Sequence, residues 1–249
     1  MAGLEKCANG YCEIPGGTFQ MGSTNGNPDE RPVRNVTMTG FQLGQTEVSV
    51  SDYKAYCRKR DSGLYEKLKS LLFGDGWGGL RKCISYHPEN QKGGNFPVVN
   101  LSFDEKRAYC KAQGGDLPTA AQLHYASRFD DQDSATGKLV INGYSVLTTA
   151  PANRGYKNRF GVHNLLGNVW ESALDAYDEN FYARMAAKDP YNPLTNQHTQ
   201  FEEFSGGGYY SFPTHLRSAA RRFVAPYGSH GDVGFRCARP LPKDSKKVK

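Results

Sequence analysis

The sequence predicts an α+β fold with few helices, short strands and long loops. Three observations lead there. Apolar residues follow a helical period in only a few stretches, most of them introduced by a Ser or Thr cap. The strand-like runs are short and broken by Gly and Pro. Regular periodicity fades after Asp130. With 28 Gly, 15 Tyr and 13 Phe in 249 residues, the composition favours turns and aromatic packing over a helical bundle.

Taken in order, Ile14–Met21 reads as a strand entering a turn, with Gly16-Gly17 as the breaker. Gly22–Arg31 is polar and turn-rich. Val33–Met38 reads as a strand with Val36 and Met38 on one face, and Phe41–Gln45 as its hairpin partner. Ser49 is expected to cap a helix running to about Arg60, with Tyr53, Ala55, Tyr56 and Cys57 as its apolar residues. Leu64–Phe73 has a shorter helical pattern, and the Gly-rich Gly74–Asn95 reads as an elaborated loop. Pro97–Leu101 reads as a short buried strand. Ser102 introduces a helix through Gln113 that stops at Gly114-Gly115. Thr119 introduces another, to about Arg128, burying Leu123, Tyr125 and Ala126. No internal repeat and no linker of biased composition divides the chain. It reads as one domain over 1–249, with 1–13 as an N-terminal extension and 241–249 as a basic tail.

No apolar run approaches the ~18 residues needed to span a membrane. Met1–Cys12 lacks a basic start followed by an apolar core, so no signal peptide is read there. The net charge of +6 is modest, and part of it sits in Lys243–Lys249. Nucleic acid is not an expected partner, because Lys and Arg are not gathered into one patch. The six Cys (Cys7, Cys12, Cys57, Cys83, Cys110, Cys237) include no CxxC pair. That spacing favours disulfides in an oxidising compartment over a zinc site; reduced, buried thiols are the alternative.

Six segments carry a resemblance. They are Ile14-Pro15-Gly16-Gly17-Thr18-Phe19-Gln20-Met21-Gly22-Ser23; Asp29-Glu30-Arg31-Pro32-Val33; Glu47-Val48-Ser49; Leu117-Pro118-Thr119 with Tyr125-Ala126-Ser127-Arg128; Asn164-Leu165-Leu166-Gly167-Asn168-Val169-Trp170-Glu171; and Gly234-Phe235-Arg236-Cys237-Ala238. In this order and register the chain resembles the formylglycine-generating-enzyme (sulfatase-modifying factor) family from about residue 14 to 240. The resemblance implies a C-type-lectin-like fold. It also implies a disulfide between Cys110 and Cys237; Cys57–Cys83 and Cys7–Cys12 are weaker pairings. The family's second bridge corresponds to Ser127 and Ser218, both Ser here.

In that family the Asn164–Glu171 segment holds calcium, which implies Asn164, Gly167, Val169 and Glu171 as ligands. The residues themselves suit this: Gly167 and Asn168 supply turn geometry, and calcium takes 6–8 oxygens from such a mixture. A turn held by side-chain hydrogen bonds alone is the alternative. The family's other calcium site corresponds to Val140–Ala152, which matches poorly and is not carried over. Arg217, Arg221 and Arg236 are expected to brace loops by pairing with carboxylates.

The family's oxidases require a cysteine pair in the stretch corresponding to Gly208–Arg217, where two thiolates bind copper(I). This chain has no Cys there, so no copper is expected and the oxidation is not carried over. The related sulfoxide synthases need an iron-binding domain with a His-x3-His-x-Glu motif, which does not occur. There is also no Gly-x-Ser-x-Gly elbow or phosphate loop.

Ser205–Cys237 contains no Lys, Glu, Gln, Met or Trp. Those five are the residues that pyrimidine-ending codons cannot encode. The placement and composition resemble the variable proteins of diversity-generating retroelements, a type that includes a Treponema lipoprotein and commonly uses this fold. A family framework that happens to avoid the five is the alternative. The binding face is expected in Tyr209–Asp232, with Tyr210, Phe212, Phe223 and Tyr227 supplying aromatic area and His215, Arg222, His230 and Asp232 polar contacts. Core packing is the alternative for any single aromatic. The expected function is non-catalytic binding of a protein or other surface ligand by an exported protein, with a lipid anchor compatible with the sequence. The rivals are an oxidoreductase of the family with another substrate, and a partner or inhibitor of a family oxidase.

Overall fold

The computed structural model describes residues 5–61, 84, 87–128, 148–196, 200–224 and 230–242. The chain opens with strands β1 (Cys7–Ala8), β2 (Tyr11–Ile14), β3 (Gly17–Met21), β4 (Arg34–Met38) and β5 (Phe41–Gly44). Helices α1 (Val50–Asp61), α2 (Phe103–Ala112) and α3 (Ala120–Ser127) follow. The last part holds β6 (Trp170–Ala176), α4 (Phe181–Arg184), β7 (Glu202–Ser205), β8 (Arg221–Val224), β9 (Val233–Gly234) and β10 (Ala238–Pro240). The strands form three small sheets, ordered β1-β2-β5-β10, β3-β4 and β8-β7-β6-β9. This is the α+β, loop-rich architecture that the sequence predicts.

The first two sheets are halves of one bent ribbon. Ile14 lies opposite Phe41 in the first and Gly17 opposite Met38 in the second. The bend lies where the strands pass at Gly16 and Gly40. A Cβ on Gly16 would stand 2.8 Å from the Met38 carbonyl oxygen and 2.9 Å from the Gly40 nitrogen, so a side chain there would force the backbones apart. This crossing corrects one expectation: β5 is not the hairpin partner of β4. β4 pairs with β3, while β5 pairs with β2 and β10.

The three capped helices form where their caps stand. Ser49 Oγ accepts from the Asp52 N–H at 3.2 Å. Ser102 with Glu105, and Thr119 with Gln122, make reciprocal capping boxes. Gly114, at φ 81°, ends α2 as expected. Pro97–Leu101 differs from expectation. It is mostly buried but forms no named strand: Pro97 makes only an isolated bridge with Ser49, Val98 N–H donates to the Val48 carbonyl, and at Val99 the Asn90 side chain stands in for a neighbouring strand. Val99 N–H donates to Asn90 Oδ1 at 3.0 Å, and the Val99 carbonyl accepts from Asn90 Nδ2 at 2.9 Å. The helix expected at Leu64–Phe73, most of Gly74–Asn95 and the Cys83 half of the Cys57–Cys83 pairing lie outside the described residues.

One core cluster packs β2–β5 against α3, Phe160 and Tyr182. A second joins α1 and α2 around the rings of Tyr53, Tyr109 and Phe235. The Cys110–Cys237 disulfide runs through this second core, with Cα atoms 5.3 Å apart, as the resemblance implies. Cys7–Cys12 bridges β1 and β2. No helix among the described residues is long and apolar enough to cross a membrane.

The Cys110–Cys237 bridge spans 127 residues of sequence. In the chain-entropy description a crosslink of that span contributes up to ~4–5 kcal/mol. The double variant Cys110→Ala/Cys237→Ala should therefore unfold at a much lower urea concentration. A loss below ~1 kcal/mol would show that packing alone holds α2 to this segment.

Candidate functional site

The site grows from the third sheet. β7 and β8 pair antiparallel with Phe204 opposite Arg222 and Glu202 opposite Val224. Strand alternation therefore places Glu202, Phe204, Arg222 and Val224 on one face and Glu203, Ser205, Arg221 and Phe223 on the other. Trp170 opens β6 and joins Phe204, Val224 and Val233 in a small buried cluster. Its backbone N–H donates to the Asp232 carbonyl at 2.9 Å, which ties the two backbones together.

Above this floor lies a cavity of about 360 Å³ lined by Trp170, Tyr210, Ser211, Phe212, His215, Arg221, Arg222 and Asp232. Tyr210 is 60% exposed and Phe212 55%. Arg222 Nη1 donates to Asp232 Oδ2 at 2.5 Å, and its guanidinium lies 5.7 Å from the Trp170 ring centroid. Five of the eight residues expected from sequence thus converge: Tyr210, Phe212, His215, Arg222 and Asp232.

The other three stand elsewhere. Phe223 is 46% exposed but faces away from Arg222, stacking on Tyr177 at 4.3 Å with Phe201 edge-on at 5.1 Å. Phe223 packs against Tyr177 and Phe201 and does not line the cavity, although Arg221, on the same face of β8, reaches it. His230 is half-buried outside the cavity lining, and burial with the nearby Arg222 charge lowers its pKa. Tyr227 lies outside the described residues. Tyr209, the first residue of the expected face, is buried. Trp170 was missed as a site residue: the sequence placed it within the calcium motif, and only the sheet shows it flooring the cavity.

Three buried carboxylates hold the surrounding loops through arginine forks. Arg217 donates to Glu30 at 2.8 and 2.6 Å, Arg221 to Glu203 at 2.8 and 2.8 Å, and Arg236 to Glu171 at 2.6 and 2.5 Å. All three expected bracing arginines are so paired.

The turn before β6 has the backbone expected of it, with Asn164 at φ 54°, Gly167 at 97° and Asn168 at 58°. Its side chains are hydrogen-bonded. Asn164 donates to the Ala152 carbonyl at 3.1 Å, and Asn168 to Glu47 at 2.8 Å. Both Glu171 oxygens accept from Arg236, but a carboxylate has about four lone-pair sites and can share with a cation. Among the described residues no three His, Cys, Asp or Glu gather as a metal cluster, so further ligands would be amide and carbonyl oxygens. Two buried carboxylates, Glu47 and Glu171, face the single guanidinium of Arg236. Burial, with Arg236 opposing and Glu171 adding, pushes Glu47 up to about 7. That shortage of positive charge and an all-oxygen donor set fit calcium.

Residues 5–241 match the Sulfatase-modifying factor enzyme 1-like domain. The chain belongs to this family. It is 27% identical to a formylglycine-generating enzyme of Streptomyces coelicolor, over 95% of this chain and 91% of that protein. Among solved structures it is similar to PvdO from Pseudomonas aeruginosa, with TM-score 0.72 and 22% identity over 93% of this chain and 94% of that one. It is also similar to Treponema denticola variable protein 1, with TM-score 0.67 and 15% identity over 92% and 94%. These structural likenesses establish the formylglycine-generating-enzyme, C-type-lectin-like fold.

The burial of these side chains separates rim from core. Tyr210→Ser and Phe212→Ser should each change stability by within ~0.5 kcal/mol. Phe204→Ala, beneath the cavity, should cost ~3–5 kcal/mol. Equilibrium unfolding in urea measures all three. Losses above ~2 kcal/mol at Tyr210 and Phe212 would make those rings structural.

Proposed function

We propose that this family member is a non-catalytic ligand-binding protein, presenting the Trp170 cavity and its rim to a protein or other surface ligand. The observation that carries the reading is the convergence of exposed Tyr210 and Phe212 with Arg222, Asp232 and His215 around one cavity. Large rigid rings lose little rotamer entropy on binding, which suits them to a recognition surface. The absence of Cys from Gly208–Arg217 supports non-catalysis, because the copper chemistry of the oxidases needs a thiolate pair. The composition of Ser205–Cys237 supports diversification by a retroelement. The disulfides support export to the cell surface or periplasm, with or without a lipid anchor.

An oxidoreductase acting on another substrate is the second reading, favoured by the relatives named as formylglycine-generating enzymes. The family's own cysteine oxidation is tested in an oxygen electrode. With copper(I), a reducing thiol and a cysteine-containing peptide, the protein is expected to consume no oxygen above the copper blank and to leave the peptide mass unchanged. Peptide oxidation at a catalytic rate would sink the binding reading. Diversification has its own test in the flanking DNA, where an adenine-rich near-copy of the Ser205–Cys237 coding segment is expected.

Calcium is proposed at Asn164, Gly167, Val169 and Glu171, where it would brace the turn that carries Trp170. Saturating calcium should then raise the melting temperature over chelated protein, by an amount set by RT ln(1 + [L]/Kd). Glu171→Gln lowers stability on its own account by disturbing Arg236. The informative quantity is therefore the calcium-minus-chelator difference, which should vanish in the variant. Identical melting of the parent protein in both conditions removes the site.

A further inference from the structure

Resting on the binding-face reading, we infer that the Trp170 cavity takes a carboxylate carried next to an aromatic ring. Besides the Tyr210 phenol, four ionisable side chains line the cavity: His215, Arg221, Arg222 and Asp232. Arg221 is spoken for, since Glu203 accepts from both its Nε and Nη2 at 2.8 Å. The choice of ligand charge falls to Arg222 and Asp232.

Asp232 engages Arg222 through one nitrogen only, Nη1. The Nε–Nη2 edge, the side of a guanidinium that matches a carboxylate with two parallel N–H donors, donates to no described residue. Accessibility decides the sign. The Arg222 side chain is 35% exposed and that of Asp232 only 16%. An incoming anion therefore reaches Arg222 more readily than a cation reaches Asp232. The Trp170 ring lies 5.7 Å from the guanidinium, within reach of a cation–π contact. Tyr210 and Phe212, largely exposed at the rim, leave ring surface for an aromatic group attached to that carboxylate. The chain's net charge of +6 adds a long-range bias toward anions.

Such a group has two sources: a small aromatic acid, or an acidic side chain beside an aromatic one in a partner protein. Three probes distinguish them: N-acetyl-L-phenylalanine, its neutral carboxamide, and acetyl-Asp-Phe-amide, whose carboxylate is on a side chain. Trp170 fluorescence in a Trp77→Phe background reads binding. N-acetyl-L-phenylalanine should bind at least roughly tenfold more tightly than its carboxamide, the factor expected of a charged hydrogen-bond pair. Tighter binding of acetyl-Asp-Phe-amide than of the free acid identifies a partner protein as the source; the reverse identifies a small acid. Arg222→Gln should erase the preference for the acid over its carboxamide while leaving the melting temperature unchanged. Asp232→Asn, which frees Nη1 and removes a repelling charge, should strengthen acid binding severalfold.

Equal binding of acid and carboxamide overturns the carboxylate assignment and leaves the binding face standing. No response to any probe overturns the assignment as well. The non-catalytic reading falls only in the oxygen-consumption assay, so the two failures are distinguishable.

Discussion

The fold depends most on Arg236, a wholly buried guanidinium held by hydrogen bonds to four oxygen atoms. It donates to both oxygens of Glu171 on β6, to the Gly44 carbonyl at the end of β5, and to the His163 carbonyl ahead of the Asn164 turn. The residue after it, Cys237, is crosslinked to α2. One side chain thus ties the first sheet, the third sheet and the turn together, and its neighbour adds the helical layer. Burying such charges is costly, and a paired, hydrogen-bonded geometry is what makes it tolerable. Removing one partner of a buried pair typically costs ~3–5 kcal/mol, because the other charge is left unsatisfied. The arrangement is therefore weak evidence of raw stability. A shift of β6 or β5 against this segment would break several of these bonds at once.

The Arg217–Glu30 and Arg221–Glu203 forks extend that logic into the site. They tie Arg217 and Arg221, which bracket the cavity segment, to buried carboxylates, while Tyr210 and Phe212 stay largely exposed. In this short stretch the buried ion pairs and the exposed rings belong to different residues. The proposed recognition surface would need such a division, since its side chains must be replaceable without loss of the scaffold.

Much of this was legible in the sequence where the signal is local or carried by a motif. The caps at Ser49, Ser102 and Thr119 marked three helices, because a cap and its partner lie within three residues of each other. The Cys110–Cys237 bridge and the arginine forks followed from family motifs, which encode long-range pairings that no spacing rule supplies. What stayed hidden was set by tertiary geometry. Nothing local to Phe41–Gln45 says that its strand crosses away from β4; that depends on two glycines, Gly16 and Gly40, meeting across the ribbon. Composition marked Arg222 and Phe223 alike as binding residues, and only knowing that they occupy a strand separates their faces. Trp170 was visible but credited to the turn it follows. The Pro97–Leu101 segment looks like a strand because it is extended and apolar, yet its pairing stops at an isolated bridge with Ser49, and an asparagine side chain serves Val99.

β5 receives its two neighbours from opposite ends of the described chain. Ile14 and Pro240 both register against Phe41. During synthesis the strand must wait for nearly two hundred residues before its second edge is covered, and the segment that forms the cavity emerges just ahead of the residues that close the sheet. Sequence-distant pairings of this kind slow folding and leave strand edges open to other chains meanwhile. A nascent chain would therefore carry an unsealed edge until its final strand leaves the ribosome. Any alteration in the cavity segment that delays β10 would lengthen that exposure, even where the finished protein tolerates it.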